Sequence, residues 1–161
     1  MPLPLPDPPL ADDAIRLRPW RAHDVEALVD AWADKEIQRW TRVPPRRGEA
    51  DALRWIAAEE LRRERGLALD LVISPSDATD TTVLGEVGMV PLAGGPSRAE
   101  LGWWVSAAHR RRHVATRAVG LFAAWLRDDL AFTDLFAEVD PDNPASIWVA
   151  ESNNLRLRIK Q

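Results

Sequence analysis

The pattern of apolar and polar positions along the chain predicts short strands separated by amphipathic helices. Apolar and polar residues alternate from Ile15 to Arg18, as they do in a strand with one buried face. Three further apolar segments, at 67–73, 83–90 and 101–105, are separated by turn-rich stretches and predict neighbouring antiparallel strands. Later segments at 134–139 and 155–161 each predict one more strand.

Helical periodicity predicts four helices between these strands. Asp24 is placed to cap the first helix, whose apolar positions are Val25, Leu28, Val29 and Trp32. The second runs over 49–65, ends at Gly66, and should turn Leu53, Ile56, Ala57 and Leu61 inward. The third runs from about 114 to Asp129, and the fourth spans 144–152, with Asn143 as its N-cap and Pro144 at the first helical position. The order of elements predicts an α+β protein with one mixed sheet.

The amino-terminal segment differs in character from the rest of the chain. Five of the first nine residues are proline, which favours an irregular or polyproline conformation and excludes a helix. The length of 161 residues suits one domain. We therefore expect a proline-rich tail at 1–13 and a single domain at 14–161.

Composition narrows the classes of function. Apolar residues form 46% of the chain and charged residues 29%, the balance of a soluble globular protein. The chain has no cysteine and only three histidines, so disulfides, thiolate catalysis and a protein-built metal centre are not expected. The net charge of −4 argues against general nucleic-acid binding. Neither a membrane span nor a signal peptide is recognisable, which makes the cytoplasm the expected compartment.

The richest segment chemically is the turn between the aromatic strand at 101–105 and the helix that follows it. Arg110, Arg111 and Arg112 fall where this helix begins. The first amides of a helix lack partners within it, and the helix dipole is positive there. Backbone N–H groups from about Arg112 to Thr116 therefore form a candidate pyrophosphate site. The alternative is an ordinary solvated helix start.

With these elements in order, the chain resembles the GNAT superfamily of acyl-CoA N-acyltransferases, closest to its RimJ/RimL-type branch. The resemblance covers roughly residues 15 to 155. Four segments carry it: Ile15 to Trp20, Ala99 to Val105, Arg110 to Ala115, and the Asn-Pro-Ala-Ser helix start at 143–146. It implies a three-layer α/β/α fold whose mixed, mostly antiparallel sheet splays in a V between the fourth and fifth strands. About four helices would flank this sheet.

The resemblance also implies acetyl-CoA as co-substrate and a set of residues that bind it. Backbone groups of Trp104, Val105 and Ser106 would hold the pantetheine arm at the splay. The pyrophosphate would lie on the turn formed by Arg110, Arg111, Arg112, His113, Val114, Ala115 and Thr116. Asn143 would bond the pantetheine amide region, with Ser146 nearby. The simpler interpretations are that Asn143 only caps its helix, that Trp103 and Trp104 only pack in the sheet, and that His23 and His109 lie at the surface.

Three departures from the family pattern affect this interpretation. His113 stands at a family glycine, where a Cβ costs space and disfavours a positive φ, although its ring can donate a hydrogen bond to phosphate. The chain has no tyrosine, so the residue that many relatives use to protonate the leaving thiolate is missing, and Ser146, Ser152 or water would replace it. Relatives carry two strands after the last helix, whereas 155–161 suffice for one. Either the sheet is short at this end or a second copy completes it in a homodimer.

Direct attack of an amine on a thioester needs a neutral nucleophile, alignment and stabilisation of the oxyanion. A carboxylate near the acceptor would remove the ammonium proton. The candidates are Glu86 and Glu100, with Glu138 behind them, and each can equally be a solvated strand residue.

The leading hypothesis is therefore an acetyl-CoA-dependent N-acetyltransferase that uses no metal and acts on a primary amine. Its acceptor would be a protein N-terminus or a small cationic amine, with no nucleic-acid or membrane partner. The alternatives are a non-catalytic CoA-binding or regulatory protein and, disfavoured by the acidic charge, an anion-binding module built on the arginine turn.

Overall fold

A single sheet of six strands, paired in the order of the sequence, runs through the molecule, for which a computed structural model describes residues 1–161. The strands are β1 (Ile15–Pro19), β2 (Leu69–Pro75), β3 (Gly85–Pro91), β4 (Arg98–Val105), β5 (Asp134–Val139) and β6 (Arg156–Ile159). The first four pair with one another in antiparallel fashion, whereas β5 is parallel to both β4 and β6. The predicted mixed sheet is confirmed. β6 forms one edge of the sheet, and the homodimer stays a prediction.

The two central parallel strands pair over only part of their length. β4 and β5 pair from Arg98 opposite Asp134 to Leu101 opposite Ala137. Beyond that point β4 continues beside β3 as far as Val105, while β5 follows β6. The predicted splay between the fourth and fifth strands is thus confirmed, and it opens the sheet where the arginine turn begins.

Six helices cover the sheet, rather than about four. They are α1 (Val25–Ala33), α2 (Lys35–Trp40), α3 (Glu49–Ala57), α4 (Glu59–Glu64), α5 (Val114–Asp128) and α6 (Pro144–Ser152). The single helix predicted at 49–65 is broken at Ala58, whose ψ is 1°. A guanidinium N–H of Arg62 donates to the carbonyl of Trp55 at 2.7 Å, an acceptor that an unbroken helix would offer to the amide of Glu59.

This break also overturns part of the predicted core. Ala57 is exposed, and the side chains of Leu53 and Leu61 are likewise exposed at 38% and 48%. The buried positions are Ala52 and Ile56 of α3 and Glu59 of α4. The predicted core positions assumed one continuous helix. Because the helix is interrupted, a different set of side chains faces the sheet.

Helices on both faces of the sheet give the predicted three layers. The larger core lies under α5 and α6, with Phe122 and Leu126 fully buried against strand residues such as Val87. A smaller core on the opposite face joins Leu28 and Trp32 of α1 to Ala52 and Ile56 of α3. Trp103 packs against the larger core and Trp104 against the smaller one, as the alternation along a strand requires.

Asp24 does not cap α1 with its side chain, contrary to the prediction. Its carboxylate instead accepts two hydrogen bonds of 2.8 Å from the guanidinium of Arg18 and one from the amide of Arg21. Both members of this ion pair are buried. A carboxylate forms stronger hydrogen bonds with a buried guanidinium than with the amides of a solvated helix end.

The proline-rich segment contains no helix or strand. Leu3 is nevertheless buried in the larger core, and its amide donates to the carbonyl of Arg63 at 2.9 Å. The tail therefore packs onto the domain. None of the helices is sufficiently long and apolar to span a bilayer.

Candidate active site

The turn after β4 presents a run of unpaired backbone donors. No amide from Arg112 to Thr116 donates a hydrogen bond within the protein. The first intrahelical bond of α5 is that from Arg117 to the carbonyl of His113. Unpaired amides at a helix start, together with the positive end of the helix dipole, are suited to an anion.

Two residues of this turn adopt the left-handed conformation that normally favours glycine. The φ angle is 65° at Arg111 and 59° at His113, which is the N-cap of α5. A side chain at such a position is strained. His113, which stands at a family glycine, therefore keeps the left-handed conformation of the turn and adds conformational strain to it.

We expect His113→Gly to raise the free energy of unfolding by about 1 kcal/mol, because glycine adopts a positive φ without a Cβ penalty. Chemical denaturation monitored by circular dichroism measures the change. Arg112→Gly is the matched control, since Arg112 has no positive φ and glycine there should lower stability. Equal effects of the two substitutions would contradict the strain at His113.

Arg110 is already engaged with protein groups. Its guanidinium donates to Oδ2 of Asp34 at 3.0 Å and to the carbonyl of Val105 at 3.1 Å. Asp34 also caps α2 by accepting from the amides of Glu36 and Ile37. Burial opposes ionisation of Asp34, but these amide bonds and Arg110 outweigh it and lower its pKa. The arginine turn is thereby tied to α2.

A cavity of about 470 Å³ lies between the arginine turn, the splayed end of β4 and the start of α6. Its charged or titratable lining residues are Glu36, His109, Arg110, Arg111 and His113, so positive charge predominates. Of the predicted coenzyme-binding residues, the following line it: Trp104, Val105, Arg110, Arg111, His113, Val114, Ala115, Thr116, Asn143 and Ser146. Ser106 and Arg112 do not line it. The amide of Ser106 is bonded to the carbonyl of Leu84 at 2.9 Å, and its Oγ is buried without a partner.

Asn143 and Ser146 bond to each other at the start of α6. The carbonyl of the Asn143 side chain accepts from the amide of Ser146 at 3.2 Å, and its NH₂ donates to Oγ of Ser146 at 3.0 Å. The predicted cap is confirmed. Ser152, the other hydroxyl candidate, lies at the far end of α6. It lines neither this cavity nor a second one on the other side of the splay.

A second cavity, of about 390 Å³, lies on the other side of the splay and is here called the acceptor groove. The residues shared by both cavities are Ile37, Trp40, Thr41, Trp103, Trp104 and Ser146. The hydroxyl of Ser146 is therefore placed where the two cavities meet. Gly88 and Gly102 lie directly opposite each other on β3 and β4 and line the groove. The space above Gly102 is open, whereas the Asp70 side chain lies above Gly88.

Glu86 lies in the acceptor groove between two indole rings. The indole N–H of Trp20 donates to Oε2 at 2.8 Å, and that of Trp104 donates to Oε1 at 3.2 Å. Burial raises the pKa of Glu86 to about 8, and the negative charge of Asp70 contributes to the increase. Because the folded state holds this proton more tightly, stability is expected to fall as pH rises from about 4.5 towards 8.

Glu100 and Glu138 also line the groove, but their surroundings differ from those of Glu86. Oε2 of Glu100 accepts from Arg158 at 2.8 Å, and the side chain of Glu138 is exposed. A carboxylate that is ion-paired or solvated resembles an ordinary surface group. Glu86 is half-buried, and its carboxylate is held by two indole N–H groups.

Several residues around these cavities were missed from the sequence. α2 contributes Ile37 and Trp40 to both cavities, and Thr41 directly after it also lines both. Asp34 followed by helix-favouring residues was a readable start signal for this helix. Asp70 interrupts an otherwise apolar strand, which was a second signal. His109, expected at the surface, is partly buried and lines the first cavity. No cluster of three or more His, Asp or Glu side chains comes together that could hold a metal ion.

Comparison with known proteins agrees with this architecture. The structure of Mycobacterium smegmatis RimJ with CoA-disulfide has a TM-score of 0.74 at 18% identity, covering 89% of this chain and 71% of that one. An acetyltransferase from Agrobacterium tumefaciens gives 0.70 at 23% identity, covering 95% and 86%. The microcin C7 self-immunity acetyltransferase MccE, with acetyl-CoA and AMP, gives 0.74 at 19% identity, covering 88% and 78%.

At these identities the structural neighbours establish the fold. No curated protein matches the sequence. The family model described as an acetyltransferase (GNAT) domain matches residues 14–156, which includes the first five strands of the sheet and the first residue of β6. The chain therefore belongs to the GNAT acetyltransferase family.

Proposed function

We propose that this protein transfers an acetyl group from acetyl-CoA to a primary amine by direct attack on the thioester. One observation carries the proposal: a cavity lined by unpaired amides and arginines meets, at the splay, a groove that contains a half-buried carboxylate held by two indoles. The coenzyme and the acceptor would reach the same point from opposite sides of the sheet. Membership of the acetyltransferase family and the coenzyme-bound neighbours support this assignment.

In this proposal the pyrophosphate lies on the amides of Arg112 to Thr116, with Arg111 and His113 beside it. The pantetheine arm follows Trp104 and Val105 through the splay towards Ser146. Apolar walls from Trp103 and Val149 suit its methylene groups. Asn143 reaches the arm only if it gives up part of its cap, because its side chain is bonded to Ser146.

Glu86 acts as the base in this reaction. An ammonium N–H bond breaks, its proton passes to the Glu86 carboxylate, and the neutral nitrogen forms a bond to the thioester carbonyl carbon. Collapse of the tetrahedral intermediate breaks the C–S bond and leaves a thiolate. The Ser146 hydroxyl, or water, gives this thiolate a proton and takes the second N–H proton from the nitrogen, so the products are the neutral amide and free CoA. A base with a pKa of about 8 is well matched to an amine near neutral pH.

The acceptor is a protein N-terminus or a small cationic amine. The acceptor groove contains more acidic than basic side chains: Asp70, Glu86, Glu100, Glu138 and Asp140 against Arg42 and Lys160. Gly102 leaves room along its floor, since a Cβ there would meet no atom within 4 Å. An elongated amine with its reactive end at the splay fits this arrangement.

Gly102→Leu should raise KM for the amine at least tenfold and leave the Kd for acetyl-CoA within about twofold, because a lost binding contact worth 1.4 kcal/mol corresponds to a factor of about ten. A Cβ on Gly102 meets no atom within 4 Å, so the fold tolerates the side chain while the groove does not. Gly102→Ala is the graded control and should have a small effect. An unchanged KM in Gly102→Leu would place the acceptor elsewhere.

Isothermal calorimetry with acetyl-CoA, followed by thiol release across a panel of N-terminal peptides and diamines, tests the proposed function. Binding together with amine-dependent thiol release is the expected result. Binding with no release for any amine would favour the non-catalytic CoA-binding alternative. Absence of binding and of a thermal shift at millimolar acetyl-CoA would overturn both.

A further inference from the structure

A second carboxylate lies beside Glu86 on the floor of the acceptor groove. On β2, Asp70 is opposite Gly88, and Val72 is opposite Glu86, so both carboxylates project from the same face of adjacent strands. A Cβ on Gly88 would sit 2.5 Å from Oδ1 of Asp70. The Asp70 side chain therefore occupies the space above Gly88, the same-face neighbour of Glu86.

Arg62 of α4 lies behind Asp70 without fully neutralising it. Nε of Arg62 is 3.7 Å from Oδ2 of Asp70, which is too long for a hydrogen bond. Nε and one terminal nitrogen of Arg62 are buried without any hydrogen-bond partner, and the guanidinium stacks 4.2 Å from the Trp55 ring centre. Asp70 thus keeps a negative charge that is only partly offset and that lies in a poorly solvated site.

Aromatic side chains enclose this array. Trp20 contacts Trp55 edge-on with ring centres 5.8 Å apart, and it lies 6.3 Å from Trp104. Charges separated by such surroundings interact more strongly than they do in water. An ionised Asp70 therefore favours the protonated form of Glu86, while Arg62 opposes this effect.

We infer that Asp70 is a positioning residue for acetyl transfer. Its negative charge, partly offset by Arg62, raises the proton affinity of the base Glu86. The catalytic role of Asp70 rests on the proposed function. Its effect on the ionisation of Glu86 is a property of the free protein. The other charged groups around the pair are Glu59 and Arg63 on α4, Glu100 on β4, Arg42 before α3, and Glu138, Asp140 and Lys160 at the outer end of the groove. Glu59 is paired with Arg63, and Glu100 with Arg158.

When the ammonium proton reaches Glu86, an N–H bond breaks and an O–H bond forms on one carboxylate of this pair. The charge of Asp70 holds that proton on Glu86, and release to solvent restores the base for the next turnover. Removing the charge of Asp70 makes Glu86 a weaker base that ionises at lower pH. Removing Arg62 has the opposite effect, because both carboxylates then bind protons more tightly.

The test is carboxyl-carbon NMR titration of the whole protein without ligand, paired with pH profiles of kcat and kcat/KM. We expect Asp70→Asn to lower the titration midpoint of Glu86 by about one pH unit and Arg62→Met to raise the midpoints of the pair. The profile of kcat/KM should shift in the same directions. Glu100→Gln, which removes a carboxylate from the same groove, should leave the midpoint within about 0.3 pH unit, since that group is already ion-paired.

An unchanged Glu86 midpoint in Asp70→Asn would overturn the inference, whatever the activity. Should Asp70→Asn fail to fold because Arg62 loses its partner, the double variant Asp70→Asn with Arg62→Met removes both charges. Its Glu86 midpoint should still lie below that of the natural protein, because the effect of Asp70 on Glu86 exceeds the opposing effect of Arg62. A shifted midpoint with no acetylation of any amine would refute the proposed function while the proton-sharing pair stood.

Discussion

The Glu86→Gln variant is expected to lower kcat for acetyl transfer by about 10²- to 10⁴-fold, the range that loss of a general base produces. Glutamine keeps the side-chain volume, and its carbonyl can accept from one of the two indoles that donate to the separate oxygens of Glu86. The Kd for acetyl-CoA should change little, since Glu86 does not line the first cavity. Steady-state kinetics together with calorimetry separates the two quantities.

The pH dependence gives this prediction a second signature. The natural protein should gain kcat/KM with rising pH until about pH 8, where Glu86 becomes ionised. Glu86→Gln should lose that rise, while the control Glu100→Gln keeps it. Equal losses of activity in the two variants, or a pH profile unchanged by Glu86→Gln, would remove Glu86 from the mechanism.

The Asp24→Asn variant should lose about 3–5 kcal/mol of unfolding free energy, because it leaves the buried Arg18 guanidinium without its charged partner. Asp24 is 3% exposed and Arg18 8% exposed, so water cannot replace the lost bonds. For a protein of this size the melting temperature should fall by about 6–20 °C. Chemical denaturation and differential scanning calorimetry measure both quantities.

Asp13→Asn provides the exposed counterpart, since Asp13 accepts from Arg117 at 3.0 Å at the surface. Its stability should be nearly unchanged. The double variant Arg18→Met with Asp24→Leu should recover part of the loss, because it removes both charges. A loss in Asp24→Asn as small as that in Asp13→Asn would show that the Arg18 pair contributes little.

Much of the fold was predictable because the strands carry strong local signals. The segment 134–139 and the helix at 144–152 were predicted at their observed bounds, since Asn143 and Pro144 mark that helix start unambiguously. The splay followed from the family resemblance. What the apolar periodicity did not show was the interruption at Ala58, where the side chain of Arg62 bonds the carbonyl of Trp55.

The candidate site was predictable in part for a similar reason. The arginine turn is continuous in sequence, and nearly all of its predicted residues line one cavity. The acceptor groove is assembled from four strands, four helices and the loops between them, so Asp70 and α2 could not be associated with Glu86 by spacing. The choice between Glu86 and Glu100 required the partners of each: two indoles for one and Arg158 for the other.

The two indole donors on Glu86 have a practical consequence for spectroscopy. A charge that appears or disappears within 3.2 Å of an indole nitrogen changes the energy of the excited state of that ring, so tryptophan emission should follow ionisation of the carboxylate. Trp20 and Trp104 therefore make the protein its own optical probe. The protonation state of Glu86 can be followed without a label, a substrate or a coupled assay.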